Sequence, residues 1–182
     1  MKKIGLLIIG IAVLFNVTNG QNSAVYNIPV NEETGLVTFE GVITVEGFTK
    51  DQLYENAISW FEEFYKNPLS VFKEKDAEAG KIKGRHRIKI FRTENEKQYQ
   101  AHLVRYDISL FVKEGKFKYT LTNFKTEATK PIPIETWLAD TAPDNGQSVD
   151  YLRQVDMFSK ELVESLINRL KSDNVVKDED DW

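Results

Sequence analysis

From Lys81 to Phe124 the side chains alternate in character along three successive segments, with only short polar breaks between them. A period of two puts neighbouring side chains on opposite faces of an extended strand. Over 81–92, Ile82, Gly84, His86, Ile88 and Ile90 share one face, and Lys81, Lys83, Arg85, Arg87 and Lys89 share the other. Glu94-Asn95-Glu96-Lys97 reads as a turn. Over 100–112 the inward set is His102, Val104, Tyr106, Ile108, Leu110 and Val112. Glu114-Gly115 turns tightly into 116–124, where Phe117, Tyr119 and Leu121 alternate with Lys118, Thr120 and Thr122. Consecutive hairpins of this kind build an antiparallel meander with one wet face.

Two amphipathic helices bracket the meander. Thr49 and Gln52 have the spacing of a capping box, and Phe48 is placed to staple onto Leu53. Leu53, Ala57, Trp60, Phe61 and Phe64 then form one apolar stripe, which Asn67-Pro68 ends. Ahead of this helix, 36–46 alternates as a half-buried strand, and after it 69–76 reads as a short strand. The segment 126–146 has three prolines and no clean period, so it is a crossover loop. The last helix spans 148–171, with Leu152, Val155, Leu162, Leu166 and Leu170 as its core stripe. The order is β-α-β-β-β-β-α: an α+β domain with an antiparallel sheet of about five strands and two helices on one face.

The N-terminus reads as an export signal. Lys2 and Lys3 precede a twelve-residue apolar run, Ile4 to Phe15, and then a short polar region with small residues at Thr18 and Gly20. A bilayer core needs roughly 20 apolar residues, so the run fits a cleaved signal over 1–20 rather than an anchor. No stable membrane insertion is expected after cleavage. The chain has no cysteine, which excludes a lipid-anchored lipoprotein and any disulfide. The domain plan is therefore a signal over 1–20, a loose arm over 21–35, one domain over 36–171 and an acidic disordered tail over 172–182. Cleavage before Gln21 removes two of 24 Lys and Arg, leaving 22 against 28 Asp and Glu, a net charge near −6. That balance disfavours general binding to nucleic acid or anionic membrane. The expected location is periplasmic or secreted.

The strand Phe39-Glu40-Gly41-Val42-Ile43, the aromatic helix through Trp60-Phe61, the strand Lys81-Ile82-Lys83-Gly84 and the C-terminal amphipathic helix together resemble a known family. It is the domain of unknown function with a TATA-binding-protein-like (TBP-like) fold, seen in secreted proteins of Bacteroidetes. The resemblance covers about 36–171 and implies the fold and the exported setting. It implies no activity and carries over no catalytic residue.

The candidate binding residues are Lys83, Arg85, Arg87, Arg105 and Trp137. The cationic row should point to the uncovered sheet face, with Arg105, Lys116 and Lys118 in matching register on the next strands. Such a row is capable of neutralising phosphates, but it reads first as a solvated face that keeps the chain soluble. An anionic ligand or acidic partner is the second reading. Nucleic acid is disfavoured by the acidic balance, by export, by Glu40, Glu46 and Asp107 on the same face, and by the scarcity of aromatics there. Trp137 reads either as a loop anchor for a partner or as a side chain packed back onto the sheet.

His86 and His102 share the inward register of one hairpin, which is expected to bring them close. With no third ligand between them they read as packed core-edge histidines, and no metal or cofactor is expected. There is no G-x-S-x-G, no H-E-x-x-H, no phosphate-cradling loop and no cysteine nucleophile. Glu62-Glu63 reads as a solvated helix face. The chain is thus expected to be no enzyme but an exported binding or interaction module for an envelope protein, peptide or glycan, using the open sheet face. The alternatives are a structural or accessory domain of an envelope assembly and an unrecognised hydrolase.

Overall fold

The computed structural model describes residues 27–138 and 146–172. The signal expected over 1–20 lies outside the described residues, as does the acidic tail apart from Ser172. Five strands form one antiparallel sheet in the order β1-β5-β4-β3-β2. They are β1 (Phe39–Thr44), β2 (Phe72–Asp76), β3 (Lys81–Glu94), β4 (Lys97–Lys113) and β5 (Lys116–Thr126). Helices α1 (Lys50–Phe64), α2 (Pro68–Val71) and α3 (Gln147–Leu170) and a 3-10 turn (Ile134–Leu138) complete the described chain.

The strands form where the period of two predicts. The β3–β4 hairpin closes on Asn95 and Glu96, both at positive φ (49° and 64°). Two central residues of that conformation match the right-handed twist of the flanking strands. Inward residues pair across the register: Ile82 with Leu110, Gly84 with Ile108, Ile88 with Val104. All six are buried, as are Phe117, Leu121 and Phe124 of β5.

α1 starts as its sequence dictates. The Thr49 hydroxyl accepts from Gln52 N–H, and the Gln52 side chain accepts from Thr49 N–H. Its stripe of Leu53, Ala57, Trp60 and Phe61 is fully buried against the sheet and α3. Each such large side chain contributes about 1.5–3 kcal/mol by leaving water. Gly84 is the condition for this contact, since a Cβ there would come within 2.7 Å of the Phe61 ring and 3.0 Å of Ile108. The polar links between the helices sit at their edge. Asn56 accepts from Arg169 at 3.2 Å and donates to Ser172 O at 3.1 Å, and Trp60 Nε1 donates to Ser165 Oγ at 3.1 Å.

Three details differ from expectation. The short strand expected over 69–76 begins only at Phe72, because Pro68 opens a helical turn. Proline favours the first helical position, where its missing N–H is not needed. Within the arm expected to be loose over 21–35, residues 27–35 pack: Ile28 is buried, Val30 bridges Val37, and Asn31 Oδ1 accepts from Glu33 and Thr34 N–H. The crossover loop holds the 3-10 turn, pinned by buried Ile134 and by Glu135, which accepts from Val37 N–H at 2.7 Å.

Candidate functional site

The helices cover one face of the sheet, and the other carries the cationic row in the predicted register. Along β3, Lys81, Lys83, Arg85 and Arg87 each meet a carboxylate. Lys81 and Lys83 share Glu74 of β2 at 2.7 and 3.1 Å. Arg85 reaches both oxygens of Asp107, at 2.6 and 3.2 Å. Arg87 binds Glu127 at 2.9 Å, and on β5 Lys118 binds Glu40 of β1 at 2.9 Å. These pairs set the charge states of the face. Hydrogen bonds from Lys81 and Lys83 hold Glu74 below the usual carboxylate range, and Lys118 does the same to Glu40. Burial acts to raise Asp107, but hydrogen bonds from Arg85 and Asn123 outweigh it and hold its carboxyl low.

Asn123 reaches Asp107 through an irregularity that simple alternation does not predict. Between Arg105 and Asp107 the β4–β5 register shifts, so that Asn123 and Phe124 of β5 oppose Tyr106 alone. Asn123 sits at φ 60° and donates to Asp107 at 2.7 Å. This is a β-bulge, which re-aims a side chain where regular pairing would not. Its signal was the break in the period: Thr122 and Asn123, two polar residues in succession, separate Leu121 from Phe124.

Beyond the bulge, Arg87, Arg105 and Lys125 lie in one row across three strands. Like charges directly opposite one another destabilise a sheet. Arg85 adds a fourth cation, against the carboxylates of Asp107 and Glu127. The Arg105 Nε is buried and makes no hydrogen bond among the described residues. Phe111, 43% exposed, adds an apolar side chain to the same face, with Lys81 over its ring at 5.8 Å.

Trp137 is not part of this surface. The 3-10 turn places its ring on the helix side, 5.4 Å from both the His102 and Tyr151 rings. Packing onto the sheet therefore holds, and the structure brings together Lys83, Arg85, Arg87 and Arg105 without Trp137.

The two histidines are not brought close, contrary to expectation. His86 pairs with Tyr106 and His102 with Ile90, so they stand four residues apart along the hairpin, about 13 Å at strand rise. His86 contacts the Tyr65 and Tyr106 rings, and His102 contacts Trp137 and Tyr151. Burial lowers the pKa of both, and the neighbouring Arg87 charge adds to this at His86. Tyr65 and Tyr106 share a buried hydroxyl–hydroxyl hydrogen bond of 3.1 Å, and burial pushes both phenols well up. Among the described residues no group of three His, Asp or Glu is placed to hold a metal ion, and no helix is long and apolar enough to cross a membrane.

Comparison with known proteins agrees with this architecture. Residues 39–127 match the family described as "Domain of unknown function (DUF4468) with TBP-like fold". A crystal structure of a DUF4468 family protein from Bacteroides ovatus superimposes with a TM-score of 0.65 at 18% identity, covering 80% of this chain and 92% of that one. A TBP-like protein from Parabacteroides distasonis gives 0.66 at 10% identity, covering 80% and 97%. At these identities the likeness speaks for the fold alone. No curated protein matches the chain. Over residues 39–127 the chain is similar to the DUF4468 domains of unknown function, and it shares their TBP-like fold.

Proposed function

We propose that this chain works, after export, as a non-enzymatic interaction module that docks anionic groups of an envelope protein, peptide or glycan on its uncovered sheet face. The observation that carries the reading is the row Arg87–Arg105–Lys125, three cations abreast with Arg85 beside them. A sheet that needed only solubility would gain nothing from like charges in direct opposition. Arg85 and Arg87 are also held in fixed geometry by Asp107 and Glu127. Guanidinium groups held in place lose less entropy on meeting a second carboxylate or a sulfate or phosphate ester.

The test is a cross-linking capture from envelope extract, with the wild-type chain and a Lys83→Glu, Arg85→Glu, Arg87→Glu variant as baits. Circular dichroism confirms that both are folded. A partner held by the first bait, lost by the second and released as salt shortens the screening length supports the reading. A partner retained equally by both overturns it. N-terminal sequencing of the protein recovered from separated envelope and cytoplasmic fractions tests export: envelope protein starting at Gln21 supports it, and cytoplasmic protein starting at Met1 overturns it.

A further inference from the structure

A second surface, on the helix side, is built differently. β1 is the last strand on its side of the sheet; among the described residues its own ladder is to β5 alone, and the N-terminal arm pairs only with the approach to it, where Thr38 N–H donates to Pro29 O at 3.0 Å and Val30 bridges Val37. A strand in that position offers a row of backbone donors and acceptors for a further strand. Beside it, between β1 and the C-terminal half of α3, opens a groove of about 500 Å³. Its apolar walls are Phe39, Tyr119, Val163 and Ile167. That volume lies in the range of binding pockets that seat small ligands.

Three observations point to an occupant. Gly41 of β1 lets the Tyr119 ring lie against the strand, because a Cβ there would stand 2.8–3.0 Å from the ring atoms. Ser159 is fully buried, lines the groove, and its hydroxyl has no hydrogen-bond partner among the described residues. A buried hydroxyl in a native protein is ordinarily partnered, and one in the wall of a groove can find that partner in a ligand that fills the groove. At the rim, Lys160 is tied to Asp156 at 2.7 Å and Glu40 to Lys118 at 2.9 Å, while Glu164 makes no ion pair among the described residues. The rim is therefore left negative.

We infer that this groove binds an extended peptide that pairs as an added strand with the edge of β1, seats an apolar side chain against Val163 and Ile167, and carries a basic residue toward Glu164. An apolar chain alone would leave the strand edge and the Ser159 hydroxyl unpaired, whereas a peptide supplies partners for both. The inference concerns the β1 edge and the helix side of the sheet rather than the row Arg87–Arg105–Lys125, and it stands or falls independently of that row.

The probe is a fluorescein-labelled, capped heptapeptide of alternating lysine and leucine, titrated against the full chain by fluorescence anisotropy. The expected result is saturable binding with Kd below about 1 mM, weakened about tenfold or more by Val163→Lys and by N-methylation of alternate peptide amides. Met157→Lys, exposed on α3 away from the groove, should leave binding unchanged. Ser159→Ala removes an unpartnered hydroxyl, so it should leave the melting temperature unchanged or raised while weakening the peptide. That variant decides the matter if Val163→Lys fails to fold. No saturation by about 5 mM, or equal binding of the N-methylated peptide, overturns the inference. So does a concentration-dependent dimer that the peptide does not dissociate, since the edge then serves a second copy of the chain.

Discussion

The two faces of the sheet are drawn from the same strands yet are held by different physics. On the helix side, β3, β4 and β5 present Ile82, Ile108, Leu110, Phe117 and Leu121, all at most 1% exposed. On the other side the same strands present Lys83, Arg85, Asp107, Arg105 and Lys118, partly exposed, with Arg85 bound to Asp107, Lys83 to Glu74 and Lys118 to Glu40. One face is fixed by volume and the other by charge geometry. A face fixed by volume tolerates few substitutions, whereas ion pairs at a wet surface contribute little and can be rearranged. Stability should therefore reside on the first face, leaving the second free to carry recognition.

The largest test of that division compares two phenylalanines. Phe61 is fully buried beneath Gly84, and Phe111 is 43% exposed on the opposite face. Phe61→Ala should cost about 3–5 kcal/mol, the range for emptying a packed aromatic site. Phe111→Ala should stay within about 1 kcal/mol, as exposed substitutions do. Urea unfolding of both variants decides it. Equal losses would mean that the open face is structural and weaken the case for recognition there.

The helix-side face was legible in the sequence and the charged face only in part, for a physical reason. Burial imposes a period, so Leu53, Ala57, Trp60 and Phe61 declare one face of α1, and Ile82 through Ile90 one face of β3. The capping box of Thr49 and Gln52 is equally local, and it forms as written. Which carboxylate an arginine finds is not local. Arg85 to Asp107 spans 22 residues and Arg87 to Glu127 spans 40, so both depend on a register that the turns and the bulge at Asn123 determine. A single residue inserted in β5 also moves Phe124 into the core and Lys125 beside Arg105. The histidines were misplaced for the same reason. Sharing a face says nothing of separation along a hairpin, and the register puts His102 opposite Ile90 rather than near His86. The groove beside β1 unites residues from the N-terminal arm, β1, β5 and α3, a set no local pattern exposes.

Acid separates the two faces next. His86 and His102 lie on the helix side with pKa values lowered from 6.5 by burial, so folding favours their neutral forms. Below about 6.5 the unfolded chain takes up protons that the folded chain resists, and stability falls as pH drops toward the folded values. Glu40 and Glu74 (ordinary value 4.5) and Asp107 (3.8) belong to the charged face and are lowered as well. Their contribution is complete above those ordinary values and is lost only as pH falls through the lower folded ones. The urea midpoint should therefore decline first between about pH 7 and 5, and His86→Gln with His102→Gln should flatten that decline. A midpoint already level across that window in the wild type would remove the histidines from the account.

The smallest effect sharpens the comparison most. Arg85→Ala breaks the pair with Asp107, whose side chain is 27% exposed beside an arginine at 44%. For a pair this open the expected cost is about 0–1 kcal/mol, reduced by added salt. Asn123 still donates to Asp107 at 2.7 Å, so the carboxylate keeps one partner and the loss should stay near the lower end. Asp107→Asn should be similarly mild for stability, but it removes negative charge beside Arg105 and Arg85. If the face is a docking surface for anions, the two substitutions separate: Arg85→Ala weakens capture of the partner and Asp107→Asn strengthens it, with both melting temperatures near wild type. If the pair is only a surface tie, the two behave alike in capture, and the charged face has no more claim to recognition than any other wet sheet.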